Sequence, residues 1–321
     1  MQGILNRFMR IGSDPAGAGR ALMFTLGIPL VSLVLFMALW GAVASNIQTS
    51  LGVLPGPVQV LAQTKSLWDD YLGEQARRSA FYERQEKRNA ELKAQDPSYE
   101  PVIRAYTGKP TYLAQILTSL KTVFAGFLLA TLVAVPLGIL AGSSRFVQAA
   151  INPIVQIFRP VSPLAWLPIV TLLVSALYVT HGEPMFEKSF LVSAITVTLC
   201  SLWPTLINTA IGVTSVDRDL VNVGRVLKLP LMTRVRKIIL PSALPFIFAG
   251  MRISLGVGWM VLIAAEMLAQ NPGLGKFVWD EFQNGSSDSL SRIIVAVFTI
   301  GLIGFGLDRI MQLLQDLSAR R

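Results

Sequence analysis

Long apolar segments without a charged residue recur along the chain, at 21–64, 122–144, 160–182 and 189–216. Each supplies the roughly 20 residues that a helix needs to cross the hydrocarbon core of a bilayer. Because lipid offers no hydrogen-bond partners to the backbone, segments that span it are expected to be helices. The pattern predicts an all-α polytopic membrane protein.

Six transmembrane helices follow from the spacing of these segments, at about 21–45, 113–142, 146–182, 189–212, 242–268 and 290–310. The third of them is too long for one straight span, and it contains Arg159 next to Pro160. Two crossings there would place the basic loop after residue 216 outside the cell, against the positive-inside rule. We therefore expect one crossing, by a helix that is broken near the sequence RPVSP.

A polar segment separates the first two spans. Residues 62–111 hold nine basic and eight acidic residues, and the pattern predicts an exposed helix or helical hairpin at 68–95 that ends at Asp96-Pro97. The preceding LPGPVQV predicts a turn followed by an interfacial segment. Since the first span points outward, residues 46–111 are interpreted as a periplasmic insertion after the first transmembrane helix.

The distribution of cations sets the predicted orientation. Segments assigned to the cytoplasm, including the 1–20 N-tail and the 317–321 C-tail, hold twelve cations, whereas short outer segments hold only Lys188, Lys276 and Arg292. This asymmetry indicates that both termini are cytoplasmic. The expected location is the bacterial cytoplasmic membrane, with the lipid bilayer as the surrounding medium.

The composition excludes several classes of function. The chain is 52% hydrophobic and 15% charged, and its net charge of +9 comes from cations beside apolar segments, so no nucleic-acid partner is expected. One histidine and one cysteine cannot build a usual zinc site. PGLGKF has Gln270 and Phe277 where a phosphate-binding loop needs Gly and Ser or Thr. We therefore expect no cofactor and no ATP-hydrolysing machinery in this chain.

Charged residues inside predicted spans are functional candidates, because each is costly to hold in hydrocarbon. Arg159 stands at the predicted helix break, where it would either cap freed carbonyls or contact a translocation path. Arg252 is either a structural partner between helices or a path contact. Glu266 is either a carboxylate at the outer helix end or part of the path.

A basic loop at 217–240 lies between the fourth and fifth spans and holds six cations. Leu220, Val223 and Leu227 fall on one face of a short predicted helix, which Pro230 ends. The alternatives are a plain cytoplasmic loop and a docking surface for another protein.

This segment resembles the cytoplasmic coupling loop of ABC importer permeases, whose motif is E-A-A, three residues, Gly, nine residues, Ile, one residue and Leu-Pro. The resemblance places the loop at 213–240. Its E-A-A positions lack the glutamate, its central glycine is replaced by lysine, and its last part matches; the aligned residues are Asn222, Val223, Gly224, Lys228, Ile238, Leu240 and Pro241. RPVSPLAWLPI, LWPTLINTAIGV and GLGKFVWDEF extend the resemblance over residues 112–316, and NVGRVLKLP and FVWDEF are most similar to the nitrate branch.

The resemblance implies a type I (MetI-like) permease core at 112–316. It also implies partners: ATP-binding cassette ATPase subunits on the loop, a periplasmic solute-binding protein and a second permease copy. The expected substrate is nitrate, with bicarbonate, cyanate, taurine or alkanesulfonates as alternatives. A self-contained secondary transporter or channel is the alternative of another class, although such a chain more often shows internal repeats.

Overall fold

A computed structural model describes residues 23–49, 52–179, 184–286 and 288–318. The predicted N-tail at 1–20 lies outside the described residues, as do residues 319–321 of the predicted C-tail at 317–321. Residues 317 and 318 belong to the last helix. The chain divides into two compact units, residues 1–65 with 285–295, and residues 66–284 with 296–321.

The first predicted span is confirmed as a helix. A π-helical turn at Met23–Gly27 leads into α1, Ile28–Ala44, and together they form an apolar helix long enough to cross a membrane. Two short antiparallel strands follow, β1 at Gln48–Thr49 and β2 at Gly52–Val53.

A single long helix, α2 at Pro57–Gln95, follows the hairpin. The predicted end at Asp96 is confirmed, but the predicted start at residue 68 is wrong. Proline fits the first turn of a helix because its missing N–H has no helical partner there. The Gln59 side chain also accepts a hydrogen bond from the N–H of Gly56, directly before the first residue of the helix.

Residues 96–111, here called the strap, run back along α2. The side-chain amide of Gln85 donates to the carbonyl of Arg104 and accepts from the N–H of the same residue. The Tyr106 hydroxyl donates to Glu74 at 2.7 Å. The Tyr106 hydrogen bond lowers the pKa of Glu74, and Arg77 lowers it further. The ionised carboxylate is thus the form that holds the strap, and its contribution is lost as pH falls through that lowered pKa.

The rest of the described residues are mostly helical, in the order α3 Tyr112–Ser143, α4 Arg145–Phe158, α5 Pro163–Leu177, α6 Lys188–Thr214, α7 Arg218–Val226, α8 Leu231–Arg234, α9 Leu240–Ala269, α10 Leu274–Asn284 and α11 Ser289–Ser318. Among the described residues, five helices are long and apolar enough to span a membrane, or six if the bent pair α4–α5 is one span. The last helix ends eight residues later than the predicted 310.

The predicted break near RPVSP is confirmed. The axes of α4 and α5 differ by 102°, and the turn between them lies at Arg159–Ser162. Ser162 caps the new helix by accepting from the N–H of Leu164, and Pro163 occupies its first position. Proline tolerates that position well, so the sequence both ends α4 and starts α5.

Helix α6 lies against both α3 and α9. Along α3, a small residue recurs every fourth position on the side that faces α6. A side chain at Gly138 would place its Cβ 2.5 Å from Thr209 Cβ and 2.8 Å from the carbonyl oxygen of Leu206. Small residues let membrane helices approach closely. The series comprises Gly126, Ala130, Ala134, Gly138 and Gly142.

A side-chain hydroxyl of α9 lies between two backbone groups of α6, next to the proline of α6. Ser254 Oγ accepts from the N–H of Thr205 at 3.1 Å and donates to the carbonyl of Ser201, two groups that pair with each other in a regular helix. This site directly follows Pro204, which has no N–H to donate to the backbone hydrogen bonds of the helix. Since Gly250 lets α9 approach Pro204 closely, the two helices that flank the basic loop are fastened together at mid-length.

Candidate functional site

The basic loop folds as three consecutive helical pieces. α7 covers Arg218–Val226, α8 covers Leu231–Arg234, and a π-helical segment at Val235–Ile239 runs into α9. The helix predicted there, with its end before Pro230, is confirmed. The resulting segment connects the ends of α6 and α9 directly, so a force on α7 reaches both of them.

One face of α7 packs against the rest of the chain. A Cβ at Gly224 would lie 2.9 Å from Ile238 Cδ1 and 3.3 Å from the Arg234 side chain. Ile238 and Val221 in turn pack on a buried apolar cluster at the ends of α6 and α9. The small residue aligned with the last position of the E-A-A motif therefore allows the helix to sit close to its support.

The opposite face of α7 is apolar and open. Leu220 is 50% exposed, Val223 54% and Leu227 64%, on the stripe that the sequence predicts. Val226, 81% exposed, extends the same surface, and the Asn222 side chain lies at its edge. We call these five residues the coupling face. An exposed apolar patch with a polar rim is typical of a protein interaction site.

Lys228 adopts a left-handed backbone conformation, with φ of 50°. It ends α7 in a Schellman motif, because the N–H of Leu229 bonds to the carbonyl of Gly224 at 3.0 Å. Glycine is the residue that takes this conformation without a steric penalty. The motif's glycine thus has a physical reason at this position, and lysine stands there at a conformational cost.

Lys228→Gly is expected to raise the free energy of unfolding by about 0.5–1 kcal/mol, since glycine removes the left-handed penalty. The Lys228 side chain is exposed, and the substitution should leave transport unchanged. Thermal unfolding of the purified chain measures the effect. A destabilised Lys228→Gly variant would contradict the cap assignment.

Leu240 and Pro241 are the first residues of α9, at the end of the basic loop. Proline occupies the first turn of this helix, and Leu240 packs beside the buried Ile239. Together they fix the direction in which α9 leaves the loop.

The Arg252 side chain forms an ion pair with Asp308 of α11. Nε lies 2.6 Å from one carboxylate oxygen and Nη2 lies 2.8 Å from the other, a bidentate arrangement. Both side chains remain partly exposed. The sequence allows two roles for Arg252. The first, an ion pair between helices, is present in the structure. The exposed side of the pair leaves room for the second, a contact with the translocation path.

Glu266 is completely buried. Its carboxylate accepts from Ser119 Oγ at 2.8 and 2.9 Å and from the N–H of Gly275 at 2.9 Å, while Ser119 also accepts from the N–H of Leu274. Gly273 packs directly on this carboxylate. The group therefore fastens the turn before α10 to α3, and in this conformation it does not face an open path.

Arg159 lies in the turn between α4 and α5 with an exposed side chain. Among the residues that the structure describes, no carbonyl accepts a hydrogen bond from this guanidinium. Sequence reasoning singled out Arg159, Arg252 and Glu266, and the structure does not bring the three together. It missed Asp308 and Ser119, although an aspartate within an apolar segment is a signal that the sequence carries.

Comparison with known proteins gives a family and several relatives. Residues 134–320 match the family described as binding-protein-dependent transport system inner membrane component. The chain is 34% identical to the nitrate import permease protein NrtB of Synechococcus elongatus, over 88% of this chain and 86% of the relative. It is 32% identical to the bicarbonate transport system permease protein CmpB of the same species, over 95% of both chains.

Among solved structures, inward-facing conformations of the MetNI methionine ABC transporter match with a TM-score of 0.51 at 18% identity. The match covers 64% of this chain and 98% of the other. At this identity the likeness shows the fold alone, and it confirms the predicted type I permease arrangement.

Proposed function

Because the chain belongs to the family of binding-protein-dependent transport system inner membrane components, we propose that it forms the pore of an ABC importer for nitrate. The coupling face carries this proposal: an apolar surface on a helix that is joined at both ends to spanning helices. Such a surface can receive movement from a cytoplasmic ATPase and pass it to α6 and α9. The chain is a permease subunit, and ATP hydrolysis takes place on separate subunits.

ATPase docking on the coupling face is supported by its chemistry. Leu220, Val223 and Leu227 would fill an apolar cleft of the partner, and the cations of the loop would orient the encounter. Cytoplasmic placement of this loop, and of both termini, is supported by the excess of Lys and Arg.

A second copy of this chain completes the pore in the proposed assembly. The support is the Arg252–Asp308 pair, which is partly exposed within two apolar helices. Charged groups at membrane depth face protein or water rather than lipid. The surface around the pair is therefore proposed to face the second copy or the path between the copies.

The 46–111 segment is proposed to lie on the periplasmic side, where α2 and the strap would meet the solute-binding protein. A reporter that is active only in the cytoplasm, fused at Asn89 near the C-terminal end of α2, is expected to be silent. The same reporter fused within 217–240 is the positive control. Strong activity at Asn89 would overturn the proposed orientation.

Nitrate ranks before bicarbonate as the proposed substrate. The nitrate permease of Synechococcus elongatus is slightly more identical to this chain, and the bicarbonate permease matches over a larger share of it. Both substrates are small monovalent anions, which suits a path whose deep ionisable candidates include Arg252.

Uptake by vesicles that contain the permease, its ATPase and its solute-binding protein tests this ranking. We expect ATP-dependent accumulation of isotopically labelled nitrate, with little competition from bicarbonate at equal concentration. Accumulation of bicarbonate without nitrate would reverse the order of the two substrates.

A further inference from the structure

Arg252 and Asp308 are held deep within the two helices that carry them. Arg252 is the thirteenth residue of α9, about 18 Å along its axis, and Asp308 stands ten residues before the end of α11. Arg252 lies inside the predicted fifth span, and Asp308 lies inside the predicted sixth span, directly after the charge-free run 293–307 of α11. The pair is therefore at membrane depth, where a carboxylate and a guanidinium need a reason to remain.

One side of the pair is left uncovered by this chain. The Arg252 side chain is 33% exposed and the Asp308 side chain 40%. One turn further along α9, a Cβ at Gly256 would meet nothing within 4 Å, so no bulky neighbour covers the approach. This open side is where an ion that moves along the helices would pass the guanidinium.

Asp308 occupies only part of the Arg252 donor set. A guanidinium has five N–H donors, and the carboxylate takes the Nε edge together with one donor of Nη2. No other described residue accepts a hydrogen bond from Arg252. The edge formed by Nη1 and Nη2 remains available, and its planar geometry matches two oxygens of a planar oxyanion.

We propose that Arg252 is a transient binding site for a small planar anion and that Asp308 keeps this site weak. This inference rests on the proposed function. With Asp308 in place, the charge of Arg252 is cancelled and a passing anion gains only hydrogen bonds from the free edge. Conduction requires a site that an ion can leave as easily as it enters. Asp308 is thus a specificity-determining residue that prevents the path from trapping its substrate.

Neutralising Asp308 while retaining Arg252 tests the proposal. Asp308→Asn should bind nitrate at least about tenfold more tightly than the wild type, as expected when one charge-assisted contact becomes available. The measurement is calorimetric titration of the purified permease–ATPase complex with nitrate, without the solute-binding protein. The double variant Arg252→Gln/Asp308→Asn should show no tight binding. In vesicles, Asp308→Asn should lower the maximal rate of nitrate import.

Two further variants, Asp280→Asn and Asp308→Ser, distinguish a binding role of Asp308 from a structural one. Asp280→Asn removes the carboxylate of the Lys276–Asp280 pair in α10 and should leave nitrate binding unchanged. Asp308→Ser is measured in parallel, in case Asp308→Asn fails to assemble. The smaller serine side chain leaves room for water around the freed guanidinium. Unchanged nitrate binding in an assembled Asp308 variant would overturn the proposal.

The titration is independent of transport. If wild-type vesicles import no nitrate, the proposed function fails, and the titration with nitrate still decides the role of Asp308. If nitrate is imported but both Asp308 variants bind it as weakly as the wild type, the proposed function stands and the role of Asp308 fails.

Discussion

Leu227→Asp is expected to abolish coupling between ATP hydrolysis and transport while leaving the membrane helices folded. Leu227 is 64% exposed at the end of α7, so its replacement costs the isolated chain little. In the assembly it would place a carboxylate in an apolar cleft. Central interface residues of this kind contribute about 2 kcal/mol or more, equivalent to a thirtyfold or larger loss of affinity.

Co-purification of the ATPase and transport by reconstituted vesicles measure this effect. Met185→Asp is the matched control, because Met185 is also an exposed apolar residue but lies at the opposite end of α6 from the coupling face. We expect normal assembly for Met185→Asp and loss of the ATPase for Leu227→Asp. A Leu227→Asp variant that assembles and transports normally would show that α7 is not the docking site.

Gly138→Leu should destabilise the membrane core by about 3 kcal/mol, the upper part of the usual range for overpacking. The new Cβ would already lie 2.5 Å from Thr209 Cβ and 2.8 Å from a backbone carbonyl of α6. Neither neighbour is the end of a flexible side chain, so α3 and α6 have to separate.

Denaturant or thermal unfolding of the purified chain in detergent measures this loss. Gly301→Leu makes the same substitution in a spanning helix at a position where a Cβ meets nothing within 4 Å. Equal stability of Gly138→Leu and the wild type would show that the close approach of α3 and α6 does not hold the core together.

The location of the helices could be predicted well, because charge-free apolar segments in a chain of this kind have few alternatives to spanning helices. The break near Arg159 also followed from local chemistry, since prolines and a charge interrupt the segment. Helix ends at polar boundaries were less certain. Pro57 suggested a turn, yet it starts α2, and α11 continues past 310 because its polar end remains compatible with a helix.

Contacts between helices were harder to predict. Ser254 and Thr205 are 49 residues apart, and nothing in their local sequence indicates that the Ser254 hydroxyl accepts a hydrogen bond from the backbone N–H of Thr205 in α6. The Ser119–Glu266 contact joins residues 147 positions apart. The pattern Gly126-x3-Ala130-x3-Ala134-x3-Gly138 was present in the sequence, and its spacing of four would have predicted the face of α3 that packs.

ATP hydrolysis by the complete transporter in vesicles tests the central claim most directly. With its ATPase and solute-binding protein present, the account predicts that nitrate stimulates hydrolysis, that taurine does not, and that Leu227→Asp removes the nitrate response. Stimulation by taurine without nitrate would place the chain among sulfonate permeases. Nitrate accumulation that proceeds without ATP would contradict the account.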